Sequence, residues 1–92
     1  MSTKANPAPP RTPRGWRTRR RILDAAEEIF GRDGFYRASM VDVTRAAKVG
    51  QGTFYLYFAS KESVLAELVR ELGHEMRARL RQAAASAPDR AS

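Results

Sequence analysis

The chain of 92 residues contains no cysteine, which excludes disulfides and thiolate metal sites. No apolar run approaches the ~20 residues that a membrane span needs. The N-terminus is basic but no hydrophobic stretch follows it that could serve as a signal peptide, so a soluble, intracellular protein is expected. Acidic residues are missing from residues 1–21, which instead hold Lys4, Arg11, Arg14, Arg17, Arg19, Arg20 and Arg21. The net charge of +7 is therefore carried by this segment, and the remainder is neutral. Such a segment is attracted to polyanions, nucleic acid or an acidic surface alike. His74 has no second ligand near it in sequence, and no metal or cofactor is expected. There is no Ser/His/Asp set, no carboxylate pair suited to one cleft and no phosphate-cradling glycine loop, so an enzyme is not expected. At this length one domain with one modest core is allowed.

Proline is nearly confined to the start: Pro7, Pro9, Pro10 and Pro13 lie within residues 1–15 among small and polar residues. That composition cannot build a core, and residues 1–15 are expected to be a disordered basic arm. From about Arg17 to Arg32, Ile22, Ala25, Ala26, Ile29 and Phe30 form the stripe of an amphipathic helix. Gly34 follows as its expected left-handed cap. Ser39 opens a second helix, about Met40 to Ala47, through a capping box with Asp42; Met40, Val43 and Ala47 face inward. Lys48-Val49-Gly50 interrupts the pattern. A third helix, about Gln51 to Phe58, places Phe54 and Phe58 four apart on one face. Ser60 is a good N-cap for a last helix carrying Leu65, Leu68, Leu72, Met76 and Leu80, which is expected to fray at Ala83-Ala84-Ala85. Nothing reads as a strand or a repeat.

Two short helices joined by a three-residue turn have the geometry of a helix-turn-helix. In that motif the second helix lies in the major groove of DNA. Here it is Gln51-Gly52-Thr53-Phe54-Tyr55-Leu56-Tyr57, with no charged residue among the seven. Gly52 lets backbone come close to a ligand, the tyrosine hydroxyls can donate to phosphates, and Gln51 suits an adenine edge. The competing reading is a protein-interaction domain whose basic arm binds an acidic partner.

The run Gly52-Thr53-Phe54-Tyr55-Leu56-Tyr57-Phe58-Ala59-Ser60-Lys61-Glu62 resembles the signature of the TetR-type (tetracycline-repressor) family. Arg21-Ile22-Leu23-Asp24-Ala25-Ala26-Glu27-Glu28-Ile29-Phe30 resembles its first helix and Gly34-Phe35 its first turn. The likeness covers about Arg17 to Leu72. It implies an all-α, homeodomain-like head of three helices, with a fourth helix leading to a ligand-binding, dimerising domain. The head is expected at residues 16–82, with its helix-turn-helix at about 39–58. Residues 83–92 are expected to be a flexible tail, with the ligand-binding domain absent. By position, Gln51, Thr53, Tyr55 and Tyr57 fall where the family contacts DNA, and Lys61 where it grips a phosphate. Ser39, Val41, Lys48, Gly52 and Leu56, with Arg14 and Arg17 of the arm, complete the expected interface. Lys48 stands where the family has glycine, so a left-handed lysine is expected. The partner implied is operator duplex DNA, for a cytoplasmic, nucleoid-associated repressor. Full-length members are expected to be homodimers and to take a small-molecule inducer in the further domain. This chain, with only residues 81–92 after Leu80, is expected to be a monomer.

Overall fold

A computed structural model describes residues 7–86. Within them the order is α1 (Pro13–Asp33), α2 (Met40–Ala47), α3 (Gln51–Tyr57) and α4 (Lys61–Ser86), and no strand occurs among the described residues. The all-α expectation holds. Lys4 and residues 87–92 of the expected tail lie outside the described residues.

The arm is shorter than its composition suggested. Thr12 is extended and its hydroxyl accepts from the Gly15 N–H at 3.0 Å, with Pro13 inside the first turn of α1. Proline is favoured there because its missing N–H would have no intrahelical partner and its φ is already helical. Helix α1 thus begins about one turn before the expected start at Arg17 and well ahead of Ile22, the first residue of its apolar stripe. Gly15 is buried, and a Cβ on it would stand 2.9 Å from the Pro10 Cβ. The proline-rich run therefore packs back on the helix it precedes.

At its other end α1 stops at Gly34, whose N–H donates to the Phe30 carbonyl at 2.8 Å. Its φ of 84° is positive as expected, but ψ is 152°, so the chain leaves extended rather than in the left-handed helical conformation. That exit carries it back over the core: the Phe35 ring meets Phe30 edge-on at 5.2 Å, and Ala38 is buried.

Helix α2 has the bounds the pattern gave it. Ser39 Oγ accepts from the Asp42 N–H at 3.1 Å, the first bond of the expected capping box. Lys48 ends the helix at φ 62°, ψ 44°, the left-handed lysine anticipated. Helix α3 closes one residue earlier than expected, because Phe58 is extended. Helix α4 opens on a reciprocal pair, in which the Ser63 N–H donates to Ser60 Oγ and the Ser60 N–H to Ser63 Oγ. The Ala83 run stays helical to Ser86, as alanine's high propensity allows.

The core joins Ile22, Leu23, Ala26 and Ile29 of α1 to Val43 and Ala47 of α2, Phe54 and Phe58 at the two ends of the α3 face, and Val64 of α4. Phe54 and Phe58 are wholly buried with centroids 5.9 Å apart. Helix α4 engages this core only through its first turns. Val69, Leu72 and Leu80 are 59%, 59% and 63% exposed. The stripe of Leu65, Leu68, Leu72, Met76 and Leu80 thus leaves the core after Leu68. In its first half α1 meets α4 partly through charge: Arg19 pairs with Glu67 at 3.2 Å and Arg20 with Glu71 at 3.1 Å. Charged groups spaced apart on two helices do not close an apolar seam between them.

Candidate nucleic-acid interface

Helix α3 buries Phe54 toward the core and leaves Gln51, Gly52, Tyr55 and Leu56 exposed on the other side. These four are two i, i+4 pairs and share one face. Tyr55 is 51% and Leu56 66% exposed. Thr53 and Tyr57 are half-buried at the edges of that face.

The polar groups of this helix are uncommitted. Among the described residues, the Gln51 amide, the Thr53 hydroxyl and the Tyr55 and Tyr57 hydroxyls have no protein hydrogen-bond partner. None of them is buried without a partner either, so all are reachable from outside. Thr44, in the preceding helix, behaves differently: it is buried and its hydroxyl donates to the Val41 carbonyl at 3.0 Å.

Next to α3, Ser39 and Val41 of α2 and Lys48 of the turn are all exposed, Val41 by 46%. Gly50 caps α3 without a side-chain hydrogen bond. A Cβ at Gly52 would meet no protein atom within 4 Å. Internal packing therefore does not require glycine there.

The arginine-rich segment divides by use. Arg14 and Arg17 are exposed, and among the described residues no ion pair engages their side chains. The Tyr57 hydroxyl lies 3.5 Å from the place of a Gly15 Cβ, so the end of α3 abuts the start of α1, where Arg14 emerges. Arg19, Arg20 and Arg21 are instead engaged by partners within the domain. Arg19 lies over the Trp16 and Phe58 rings as well as against Glu67. Arg20 has its pKa raised, first by its hydrogen bond with Glu71. Arg21 Nη2 donates to the Ala47 carbonyl at 2.7 Å and to that of Lys48 at 3.2 Å, closing the end of α2. The basic excess is thus narrower than the count over residues 1–21 suggested.

Lys61, the first residue of α4, is also committed. Its ammonium donates to the Phe35 carbonyl at 2.6 Å and to the Ala38 carbonyl at 3.0 Å, and stands 4.4 Å from the Phe35 ring centre. Sequence reading missed both this contact and the one from Arg21. Each joins residues more than twenty apart, and neither leaves a local pattern.

Residues 22–68 match the model of the bacterial regulatory proteins of the tetR family. The chain belongs to the tetR family. It is similar to the HTH-type transcriptional regulator UidR of Escherichia coli strain K12, 35% identical over 82 residues, which is 89% of this chain and 37% of UidR. The A-factor receptor protein of Streptomyces griseus is 40% identical over 58 residues, 63% of this chain and 21% of that protein. The fatty acid metabolism regulator protein of Bacillus subtilis is 38% identical over 50 residues, 54% of this chain and 26% of that protein. The chain thus spans between about a fifth and two fifths of the length of these relatives. No solved structure matches it. As a tetR-family head it is a helix-turn-helix DNA-binding domain of a transcriptional regulator and not an enzyme. The acidic-partner reading is not favoured. No helix among the described residues is long and apolar enough to cross a membrane.

Proposed function

We propose that this tetR-family head reads operator duplex DNA with the outer face of α3 laid in the major groove, as part of a ligand-responsive, cytoplasmic repressor. The uncommitted row Gln51, Thr53, Tyr55 and Tyr57 carries the reading. Four polar groups on one short helix, all accessible and without intramolecular partners, are free to be satisfied by base edges and phosphates. Gly52 lets the α3 backbone approach, Leu56 and Val41 offer apolar contact to thymine methyls, and Ser39, Lys48, Arg14 and Arg17 meet the phosphates that flank the groove.

A small-molecule inducer and a homodimer are proposed for the full-length protein; that one relative is named a receptor for A-factor supports the first. The 92 residues by themselves are proposed to be monomeric. A few exposed apolar side chains along one helix make a seam well short of the ~800 Å² per partner of a standard interface. Light scattering at micromolar concentration tests this, a DNA-free dimer being the contrary result.

The reading itself is tested by binding to the duplex that the protein retains from a random-sequence pool. Thr53→Ala and Tyr55→Ala are each expected to weaken binding by roughly 1–3 kcal/mol and to relax preference at one base pair. Both remain as helical as wild type, since neither side chain is buried. Wild-type affinity in both would show that α3 is not the reader.

A further inference from the structure

Lys61 occupies an electrostatically unfavourable place. It is the first residue of a 26-residue helix, where the unpaired N–H groups and the helix dipole already concentrate positive potential. A cation there needs compensation, and the fold supplies it internally. Two carbonyl oxygens, of Phe35 and Ala38, converge on the ammonium at 2.6 and 3.0 Å, and the Phe35 ring face lies 4.4 Å away. Two of its three donors are thereby used, and the side chain is half-buried.

The acceptors belong to the segment between α1 and α2. Ala38 immediately precedes Ser39, the N-cap of α2, and its own N–H donates to the Gly34 carbonyl at 3.0 Å. Gly34 is the positive-φ residue at which the chain leaves α1. One ammonium from α4 thus holds both ends of the loop that sets where α2 begins. At eight residues α2 is too short to be stable alone, so its placement depends on such ties.

We infer that Lys61 serves DNA binding as a positioning residue: it staples the Phe35–Ala38 loop, and through it the α2 N-cap Ser39, rather than holding a phosphate. The inference rests on the DNA-binding reading above and departs from the role that the family resemblance gives this lysine. A compact ammonium can point at two carbonyls beneath an aromatic ring, whereas a planar, longer guanidinium cannot take that position unchanged. At a phosphate the preference is reversed, because arginine binds oxyanions at least as well as lysine.

Lys61→Arg therefore separates the two roles at constant charge, with Lys61→Met as the neutral companion. The full chain is titrated with the duplex that wild type retains from a random-sequence pool, at several salt concentrations. Circular dichroism and amide hydrogen exchange are followed on the free protein. As a staple, Lys61→Arg and Lys61→Met both bind about tenfold more weakly, the loss expected for a charge-assisted tie. Their salt slopes match wild type, and the Ala38 N–H exchanges faster in both without DNA while overall helicity is kept. As a phosphate ligand, Lys61→Arg binds like wild type, Lys61→Met flattens the slope by about 0.9, and Ala38 exchange is unchanged; that set overturns the inference. Loss of helicity in Lys61→Met leaves Lys61→Arg to decide. If wild type shows no salt-dependent binding to any duplex, the DNA-binding reading falls, whatever the exchange data say of the loop, and the inference about DNA falls with it.

Discussion

At Gly52 the requirements of the fold and of the proposed ligand diverge. A Cβ there would meet open space, so alanine fits the free protein and should favour α3 by about 0.5–1 kcal/mol through reduced chain entropy. If backbone at this position lies against DNA, the same methyl group keeps the helix away. Gly52→Ala is therefore expected to raise the melting temperature while weakening operator binding. A thermal melt and a gel shift on one preparation check both signs, and unchanged affinity would remove Gly52 from the interface. Lys48 is the converse case. Its φ of 62° costs a non-glycine residue about 1 kcal/mol, but glycine would give back a similar amount in unfolded-chain entropy. Lys48→Gly should hardly move the melting temperature, yet lower the salt slope of binding by about 0.9 if the lysine meets a phosphate. The left-handed lysine was legible only through the family resemblance, which puts glycine where Lys48 stands; nothing in the local pattern of this chain marks it.

Among the elements, α2 was read correctly at both ends because its signals are local: a serine cap three residues before an aspartate, and a break at Lys48. Its attachment was not readable. Arg21 binds the Ala47 and Lys48 carbonyls across 26 and 27 residues of chain, and only the folded packing of α1 beside α2 brings them together. In the sequence Arg21 was one more positive charge of a basic segment. Its removal should leave two helix-terminal carbonyls short of a charged donor. Arg21→Gln is accordingly expected to destabilise the domain by about 1–2 kcal/mol, measured as a lower urea midpoint with unchanged slope. A variant as stable as wild type would show that water serves these carbonyls equally well. The start of α1 was missed for a different reason. Composition without core-forming residues reads as a disordered arm, whereas Thr12-Pro13 is a start signal that precedes the apolar stripe by several residues. Thr12→Ala should cost about 1 kcal/mol, a loss that an arm without structure would not show. The outer face of α3 was legible as chemistry, since Phe54 and Phe58 fix which side is inward and the rest must face out. That its polar groups carry no internal partner is a property of the fold alone.

Over the whole molecule, the head is held by apolar packing and α4 is joined to α1 partly by charge. Glu67 is the centre of that junction. Its side chain is largely buried, and its carboxylate accepts from Arg70 one turn on and pairs with Arg19 of α1 at 3.2 Å. The Arg70 hydrogen bond, with Arg19 behind it, holds the Glu67 carboxyl below the usual glutamate range against the opposing effect of burial. The unfolded chain therefore takes up this proton at a higher pH than the folded one does. The stabilisation is full above the ordinary glutamate pKa and is lost as pH falls through the lower, folded value. Acidification from neutral should thus leave stability flat until the ordinary glutamate range and weaken the α1–α4 junction below it. Glu67→Gln removes the titrating group while keeping an acceptor for both arginines. It is expected to cost about 1–2 kcal/mol at neutral pH and to melt with a shallower acid dependence than wild type. Thermal melts of both proteins from neutral to acid pH decide it. Parallel curves would mean that other carboxylates, Asp33 beside Arg32 among them, govern acid stability and that the junction stands without its charge.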